Sequence, residues 1–449
     1  LQPELLRTDS AAPQDPPSGG AESRDLPAWL SYLERLHSKP IDLGLDRVRE
    51  VHLRMPARRP VPVITVGGTN GKGSTCAYLE AILRAAGYRT GCYTSPHLLR
   101  YNERIRVDGI PAADAAILAA FEAVELARAA TPLTYFEFGT LAALHHFEQA
   151  AVDVLVLEVG LGGRLDAVNI VEPDCAVVTS VALDHMEFLG PDRESIAREK
   201  AGIFRGGRPA VFGQCDVPET LRQHAGAIGA DLLVAGEAFR HRSTPTQWHF
   251  DGPQGSWYAL PYPALRGAYQ LDNAACALMA LASLQPRLPV ALQHIREGLV
   301  SVDLPARLQV LPGRPVVILD VAHNPHAAEA LAGSLARMGG FRRTLLVLGM
   351  LHDKDIAGVT ALFSGLADRW HLADLPPPRG AAASELAALL AAAGVAGQQL
   401  QLHADPGTAI RAALAEASED DRVIAFGSFL TIAAVMTELG RTGTTTWGS

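Results

Sequence analysis

The apolar run Val63-Ile64-Thr65-Val66 stops at Gly67-Gly68, and Thr69-Asn70-Gly71-Lys72-Gly73-Ser74-Thr75 then leads into an apolar helical pattern. A β-branched strand, a glycine-rich turn and a helix in that order make an α/β unit with a phosphate-cradling loop. The glycines let backbone N–H groups close around phosphate oxygens at the helix N-terminus. Lys72 supplies a point charge, and Ser74 or Thr75 offers a hydroxyl to phosphate or Mg²⁺. The loop departs from the strict Walker pattern: no glycine sits six residues before Lys72, and Gly73 separates Lys72 from Ser74. Such a turn also serves as a plain strand-to-helix connection; the preceding strand and the lysine favour nucleotide binding.

Strand-like and helix-like segments alternate from residue 61 onward. Val61–Val66, Arg89–Thr94, Asp153–Val159 and Cys175–Val181 read as strands; Ser74–Ala86, Ala112–Ala130 and Thr134–Ala150 read as helices. Continuous apolar strands are those buried on both faces, so the alternation predicts a mostly parallel sheet covered by helices. Residues 236–263 change to alternating polar and aromatic texture, which predicts short antiparallel strands. A second α/β series begins near 315, with strands at Val316–Asp320, Thr344–Leu348, Arg369–Leu372, Leu400–His403 and Val423–Phe426. Helices are expected between them at Ala327–Met338, Ser384–Ala393 and Thr408–Ala417. The expected organisation is a disordered leader over 1–24, a large P-loop domain over 25–302, a linker over 303–314 and a smaller Rossmann-like domain over 315–449. A cleft between two α/β domains suits a two-substrate site.

The 449 residues are 48% hydrophobic and 19% charged, as in a soluble enzyme, and the net charge of -9 excludes a general nucleic-acid binder. Anionic substrates must then be held by local cations and metal. Five cysteines without metal-binding spacing read as thiols in a reducing, cytoplasmic compartment. No apolar run is long enough to span a membrane. The leader is rich in Pro, Ser, Ala and Gly without the order of a signal peptide.

Several further segments offer chemistry. The strand Asp153–Val159 carries Glu158 near its end, where an acidic residue holds Mg²⁺ in P-loop enzymes. A Gly-rich loop with Arg164 and Asp166 follows it. Asp184-His185 follows another buried strand, and spacing alone favours a hydrogen-bonded structural pair. Lys200, in Glu199-Lys200-Ala201-Gly202, reads alone as a solvated charge. Ser95, in Thr94-Ser95-Pro96-His97-Leu98, is equally a hard-cation ligand or a turn hydroxyl. Asp320-Val321-Ala322-His323-Asn324-Pro325-His326 puts polar groups at a strand C-terminus, where substrates bind in open α/β sheets.

Together these motifs resemble the folylpolyglutamate synthase/dihydrofolate synthase branch of the Mur ligase superfamily. The resemblance runs from Trp29 to the C-terminus and includes Trp29-Leu30-Ser31-Tyr32-Leu33-Glu34, Ile41-Asp42-Leu43-Gly44-Leu45, Gly68–Ser74, Thr94–Leu98, Leu157–Asp166, Asp184-His185 with Leu189-Gly190, Glu199–Ile203 and Asp320–Pro325. It implies a large Mur-ligase-like P-loop domain and a smaller C-terminal glutamate-ligase domain. The implied reaction is ATP-dependent ligation of an acid to an amino acid. L-Glutamate is joined to 7,8-dihydropteroate or to reduced folates through an acyl phosphate, as a step of folate biosynthesis.

The resemblance also implies residue roles. Asn70, Gly71, Lys72, Gly73 and Ser74 hold ATP phosphates, with Asn273, Arg307 and Asp320 as further nucleotide contacts. Ser95 and Glu158 bind one Mg²⁺, and Glu158, His185 and Lys200 a second. Lys200 is carbamylated in such enzymes, which turns a cation into an oxygen ligand suited to Mg²⁺. Lys72, His185, Lys200 and His323 are the implied catalytic set. Thr134-Tyr135-Phe136-Glu137 and Leu165-Asp166-Ala167 resemble pterin-binding segments, and His323 and Ser428 lie near the incoming amino acid. A monomer is expected, with neither nucleic-acid nor membrane partners. The Trp29–Leu45 block resembles the bifunctional bacterial members.

Three rivals remain at this level. A monofunctional folylpolyglutamate synthase would lack activity on dihydropteroate. A cell-wall Mur-type ligase would carry a further domain before the P-loop, whereas about 40 residues of plausible structure precede Val61. A nucleotide-binding switch would need neither Asp184-His185 with Lys200 nor the Asp320/His323 cluster.

Overall fold

The computed structural model describes residues 24–56 and 59–441. The expected leader lies outside these residues, apart from Arg24. An eight-stranded sheet comprises β1 (Val63–Gly67), β2 (Thr90–Tyr93), β3 (Ile105–Val107), β4 (Ile110–Pro111), β5 (Val154–Glu158), β6 (Cys175–Val178), β7 (Pro209–Phe212) and β8 (Asp231–Val234), in the order β4-β3-β2-β5-β1-β6-β7-β8. Only the β2–β3 and β3–β4 pairings are antiparallel. β1 lies between β5 and β6, with Val66 opposite Glu158 and Val177. The strand order reverses here, and the C-terminal ends of such strands are where open α/β sheets bind ligands.

Every residue of β1 and β5 is buried, because helices cover both faces. Ile64 and Val66 pack with Tyr78 and Leu79 on one side. Val63, Leu155 and Leu157 join Trp29, Phe121 and Phe138 on the other. The helix Leu26–Leu36 starts at Asp25, whose carboxylate accepts the Ala28 N–H at 2.9 Å. It drops Trp29 against Phe121 and Phe138, with ring centroids 5.7 and 6.2 Å away. The N-terminal block is thereby fixed to the helix Tyr135–Gln149.

The predicted antiparallel strands are present as β9 (Arg240–Ser243), β10 (Trp248–Gly252) and β11 (Gly255–Leu260) in a separate sheet. The third sheet is built from β12 (Gln309–Leu311), β13 (Val316–Leu319), β14 (Thr344–Leu348), β15 (Arg369–Ala373), β16 (Leu400–His403) and β17 (Arg422–Phe426), in the order β12-β13-β17-β14-β15-β16. All its pairings are parallel except β12–β13. The expected linker 303–314 is corrected by β12: Pro312 and Gly313 form a turn that folds Gln309–Leu311 back onto β13 instead of marking a free connection. Among the described residues no helix is long and apolar enough to cross a membrane.

Candidate active site

A cavity of about 660 Å³ opens where the C-terminal ends of β1, β5 and β6 face the loop after β13. The P-loop forms one wall. Gly71 caps the helix Lys72–Ala85 with φ of 91°, a conformation that L side chains adopt only with strain. A Cβ there would also stand 2.2 Å from Asn273 Oδ1. Lys72 Nζ donates to the carbonyls of Gly68 and Thr69 at 3.0 and 3.1 Å. Thr179 and Ser180, just past β6, donate to the Asn70 carbonyl at 2.6 and 3.0 Å and fix the loop from behind. Gln270 reaches the Ser74 hydroxyl at 3.3 Å and accepts from Asn273 Nδ2 at 3.1 Å. Asn273 is thereby held against the loop.

The second domain closes over this wall. The side-chain amides of Asn70 and Asn324 exchange hydrogen bonds at 3.1 Å, and Asn70 Nδ2 lies 2.9 Å from His326 Nδ1. Asn324 also caps the helix Pro325–Arg337 by accepting the Ala327 N–H and reaches Asp184 Oδ2 at 3.0 Å. The half-buried Arg307 guanidinium approaches the start of the P-loop helix, 3.6 Å from where a Cβ on Gly73 would be. Asp320 accepts the N–H groups of Leu308 and Ala322, both at 2.7 Å, which holds its carboxylate towards the cleft floor. Burial raises its pKa against those bonds and the Arg307 charge.

Glu158 ends β5 almost fully buried, with Oε2 accepting the Ser95 N–H at 3.0 Å. Burial pushes its pKa up, opposed by Lys72, the Ser95 N–H and Arg307. Lys200, near the end of the helix Arg193–Ala201, turns inward and donates to the Gly68 carbonyl at 3.0 Å. It is therefore not the solvated charge that its spacing suggests. Burial, reinforced by Lys72, drops its pKa to about 7. His185 has φ of 51°, a strained backbone for a non-glycine residue at a candidate site. Burial lowers its pKa to about 4 despite the neighbouring Asp184. Among the described residues no three His, Cys, Asp or Glu side chains converge on one point. Mg²⁺ does not require such a cage, because it takes one or two protein oxygens and completes its shell with phosphate and water.

On the opposite side, Thr134 caps the helix Tyr135–Gln149 and forms a reciprocal capping box with Glu137. Phe136 stands over Gly160, where a Cβ would lie 2.6 Å from the ring, and its centroid is 5.9 Å from that of Tyr93. This flat face lines the cavity together with Leu165, Asp166 and Ala167. Asp166 accepts the N–H groups of Leu161 and Val168, and burial raises its pKa to about 6. Two sequence-based placements need correction. Tyr135 packs on Tyr101 and Arg104 and does not line the cavity. Ser428 caps the helix Phe429–Arg441, accepting the Thr431 N–H at 3.0 Å; Phe429 faces the cleft in its place. Glu137 lines the cavity but also receives Arg47 Nη2 at 3.1 Å and the Thr134 N–H at 2.7 Å.

Sequence reasoning missed Lys354. It sits in the loop after β14, its side chain only 5% exposed, and contacts Asp184 Oδ1 at 2.6 Å and His185 Nε2 at 3.5 Å across the domain boundary. His323 Nε2 lies 3.7 Å from Asp184 Oδ2. Burial raises the Asp184 pKa, but Lys354, His185 and His323 outweigh it and hold the carboxyl well below its usual range. The available signal was position: His352-Asp353-Lys354-Asp355 follows a strand C-terminus. Tyr269 was also missed; it lines the cavity together with Asp320.

Two family models cover most of the chain: the Mur ligase middle domain matches residues 66–281, and the Mur ligase glutamate ligase domain matches residues 306–429. The dihydrofolate synthase/folylpolyglutamate synthase of Escherichia coli K12 is 50% identical over 412 residues, covering 92% of this chain and 94% of the relative. A structure of E. coli FolC in complex with DHPP and ADP superposes with a TM-score of 0.89 at 48% identity, covering 94% of this chain and 99% of that one. A bifunctional folylpolyglutamate synthase/dihydrofolate synthase with Mn, AMPPNP and L-glutamate bound gives a TM-score of 0.86 at 47% identity, covering 93% and 98%. With both Mur ligase domains in order and half of the 412 aligned residues identical to that relative, the chain belongs to the dihydrofolate synthase/folylpolyglutamate synthase branch of the Mur ligase family.

Proposed function

We propose that this chain uses ATP to ligate L-glutamate to 7,8-dihydropteroate, giving dihydrofolate, and to reduced folates, extending their glutamate tails. The observation that carries this reading is the single cavity shared by the P-loop, the buried Glu158, the Phe136 face and the second domain's Arg307 and His323. A phosphate donor, a flat aromatic acid and an amine meet there. The relatives with DHPP and ADP, or with AMPPNP, Mn and L-glutamate, hold ligands of these three classes.

A carboxylate is a poor electrophile, so its oxygen first takes the γ-phosphoryl group of ATP. The N–H groups of Gly71, Gly73 and Ser74 and the Lys72 ammonium orient the phosphates and balance their charge, while the Asn70 N–H donates to Ser180 Oγ at 3.0 Å and sets the loop. Asn273, Arg307 and Asp320 hold the rest of the nucleotide. Thr134, Phe136, Leu165, Asp166 and Ala167 seat the pteroyl body, with Phe136 as the stacking face. The glutamate amine then attacks the acyl carbon and phosphate leaves. Acyl phosphates hydrolyse readily, so water must be excluded while glutamate docks beside His323. The Asn70–Asn324 and Lys354–Asp184 contacts are a means of holding the domains closed.

The donor set fits two Mg²⁺ sites, one on Ser95 and Glu158 and one on Glu158, His185 and Lys200. An Mg²⁺ ion held by these residues would supply positive charge opposite the γ-phosphate. An ammonium at Lys200 would repel the ion. A pKa near 7 leaves much of this amine neutral and able to add CO₂, and the carbamate formed is an anionic oxygen ligand. The five cysteines are unpaired, which suits a reducing, cytoplasmic setting.

Dihydropteroate labelled with ¹⁸O in its carboxylate tests the acyl phosphate. One labelled oxygen should appear in the released phosphate for each amide formed. Unlabelled phosphate accompanying dihydrofolate formation would overturn the mechanism.

A further inference from the structure

Arg104 is a cation of the cleft that the assigned chemistry leaves unused. It ends the short turn Tyr101–Arg104, and its carbonyl accepts the Thr94 N–H at 2.9 Å, which ties it to the end of β2. Its guanidinium lies over the rings of Tyr101 and Tyr135, 5.5 and 5.6 Å from their centroids, and its Nε donates to His97 Nδ1 at 2.8 Å. The group is thus held flat, with its fork lining the cavity beside Phe136 and Thr134. Among the described residues no carboxylate lies within 4.0 Å of it, and neither Nη has a protein acceptor. The neighbouring carboxylates are engaged elsewhere. Glu103 accepts the N–H groups of Leu98, Leu99 and Arg100, while Asp42 and Glu137 pair with Arg47.

The two acceptors proposed above differ in their anions. Dihydropteroate has one carboxylate, which is consumed in the reaction. A reduced folate has two: the γ-carboxylate is phosphorylated and the α-carboxylate must sit unreacted in the cleft. A carboxylate taken out of water without a cation is costly, and a planar guanidinium is its best-matched partner. The other cations are committed: Lys72 and Arg307 to the P-loop side and Lys354 to Asp184. Arg104 stands on the acceptor side, next to the segment that would seat the pteroyl body.

We infer that Arg104 binds the non-reacting α-carboxylate of the reduced-folate acceptor and so separates the two activities of this one site. The inference rests on the proposed function. Its test compares glutamate-dependent phosphate release on tetrahydrofolate and on dihydropteroate, for the unmodified enzyme, Arg104→Met and Arg104→Lys. Loss of a charge-assisted fork predicts a KM for tetrahydrofolate raised about tenfold or more by Arg104→Met, well beyond any change for dihydropteroate. Arg104→Lys should recover part of the loss, and the KM for L-glutamate should not follow it. As a second probe, tetrahydrofolate with its α-carboxylate converted to an amide should be a correspondingly poor acceptor for the unmodified enzyme. That probe decides the matter if the variants do not fold. Equal losses on both acceptors, a change confined to the KM for L-glutamate, or an α-amide accepted as well as tetrahydrofolate would overturn the inference. An unmodified enzyme inactive on both acceptors would instead overturn the function on which it rests.

Discussion

Replacing Lys354 by Met should cripple turnover while leaving each domain folded. Lys354 and Asp184 form an ion pair of 2.6 Å with side chains only 5% and 10% exposed. Removing one partner of a buried pair typically costs about 3–5 kcal/mol, because the other charge stays desolvated. Asp184 keeps two hydrogen bonds, from Asn324 Nδ2 at 3.0 Å and from the His185 N–H at 2.9 Å. The lower end, about 3 kcal/mol, is therefore expected. The partners belong to different domains, so the penalty falls on the closed arrangement rather than on the fold of either half. A closed population lowered by 3 kcal/mol corresponds to a kcat about 100-fold lower. Glutamate-dependent phosphate release at saturating substrates measures it. Asp184→Asn should cost a similar amount, and the double variant should be little worse than either single one, with a coupling of about 3 kcal/mol. A Lys354→Met enzyme within threefold of the parent, or fully additive losses, would refute this reasoning.

Other perturbations test separate parts of the site. Lys72→Ala should abolish acyl-phosphate formation, and unchanged turnover would remove the P-loop assignment. Lys200→Ala should be inactive, with partial rescue by formate or propionate; full activity without rescue would exclude Lys200 from metal binding. At equal dissolved CO₂, enzyme stripped of CO₂ should regain activity faster at pH 8 than at pH 6, because an amine with pKa about 7 is mostly neutral only above that value; equal rates at both would contradict the carbamate. Trp29→Ala removes a ring that is 5% exposed and packed on Phe121 and Phe138. It should destabilise the large domain by about 3 kcal/mol, read by denaturant unfolding, and a loss below 1 kcal/mol would mean the N-terminal block is not part of that core.

Much of the architecture was legible because its signals are local. The run Val63–Val66, the Gly71 turn and the apolar stretch before Glu158 each carry their own pattern, and Thr344–Leu348 and Leu400–His403 fall at the predicted bounds. Sequence missed β3, β4, β7, β8 and β12; β3, β4 and β12 are strands of two or three residues at or beside a sheet edge, defined by pairing and not by apolar periodicity. In the site, Lys200 and Lys354 both look like surface charges in sequence. Their burial is set by partners far along the chain: the Gly68 carbonyl 132 residues from Lys200 and the Asp184 carboxylate 170 residues from Lys354. Ser428 was named only through the family resemblance, but its position is where a helix needs its cap, and the backbone claimed it. Tyr135 and Phe136 are adjacent aromatics. Only the helix direction decides that Phe136 meets the cavity while Tyr135 meets Tyr101.

The central claim is that one cavity serves two acceptors with one amine. Phosphate release from ATP, measured with dihydropteroate and with tetrahydrofolate, each with and without L-glutamate, tests it most directly. The account predicts glutamate-dependent release with both. Release with tetrahydrofolate alone would contradict the dual function, and release with neither would contradict the ligase itself.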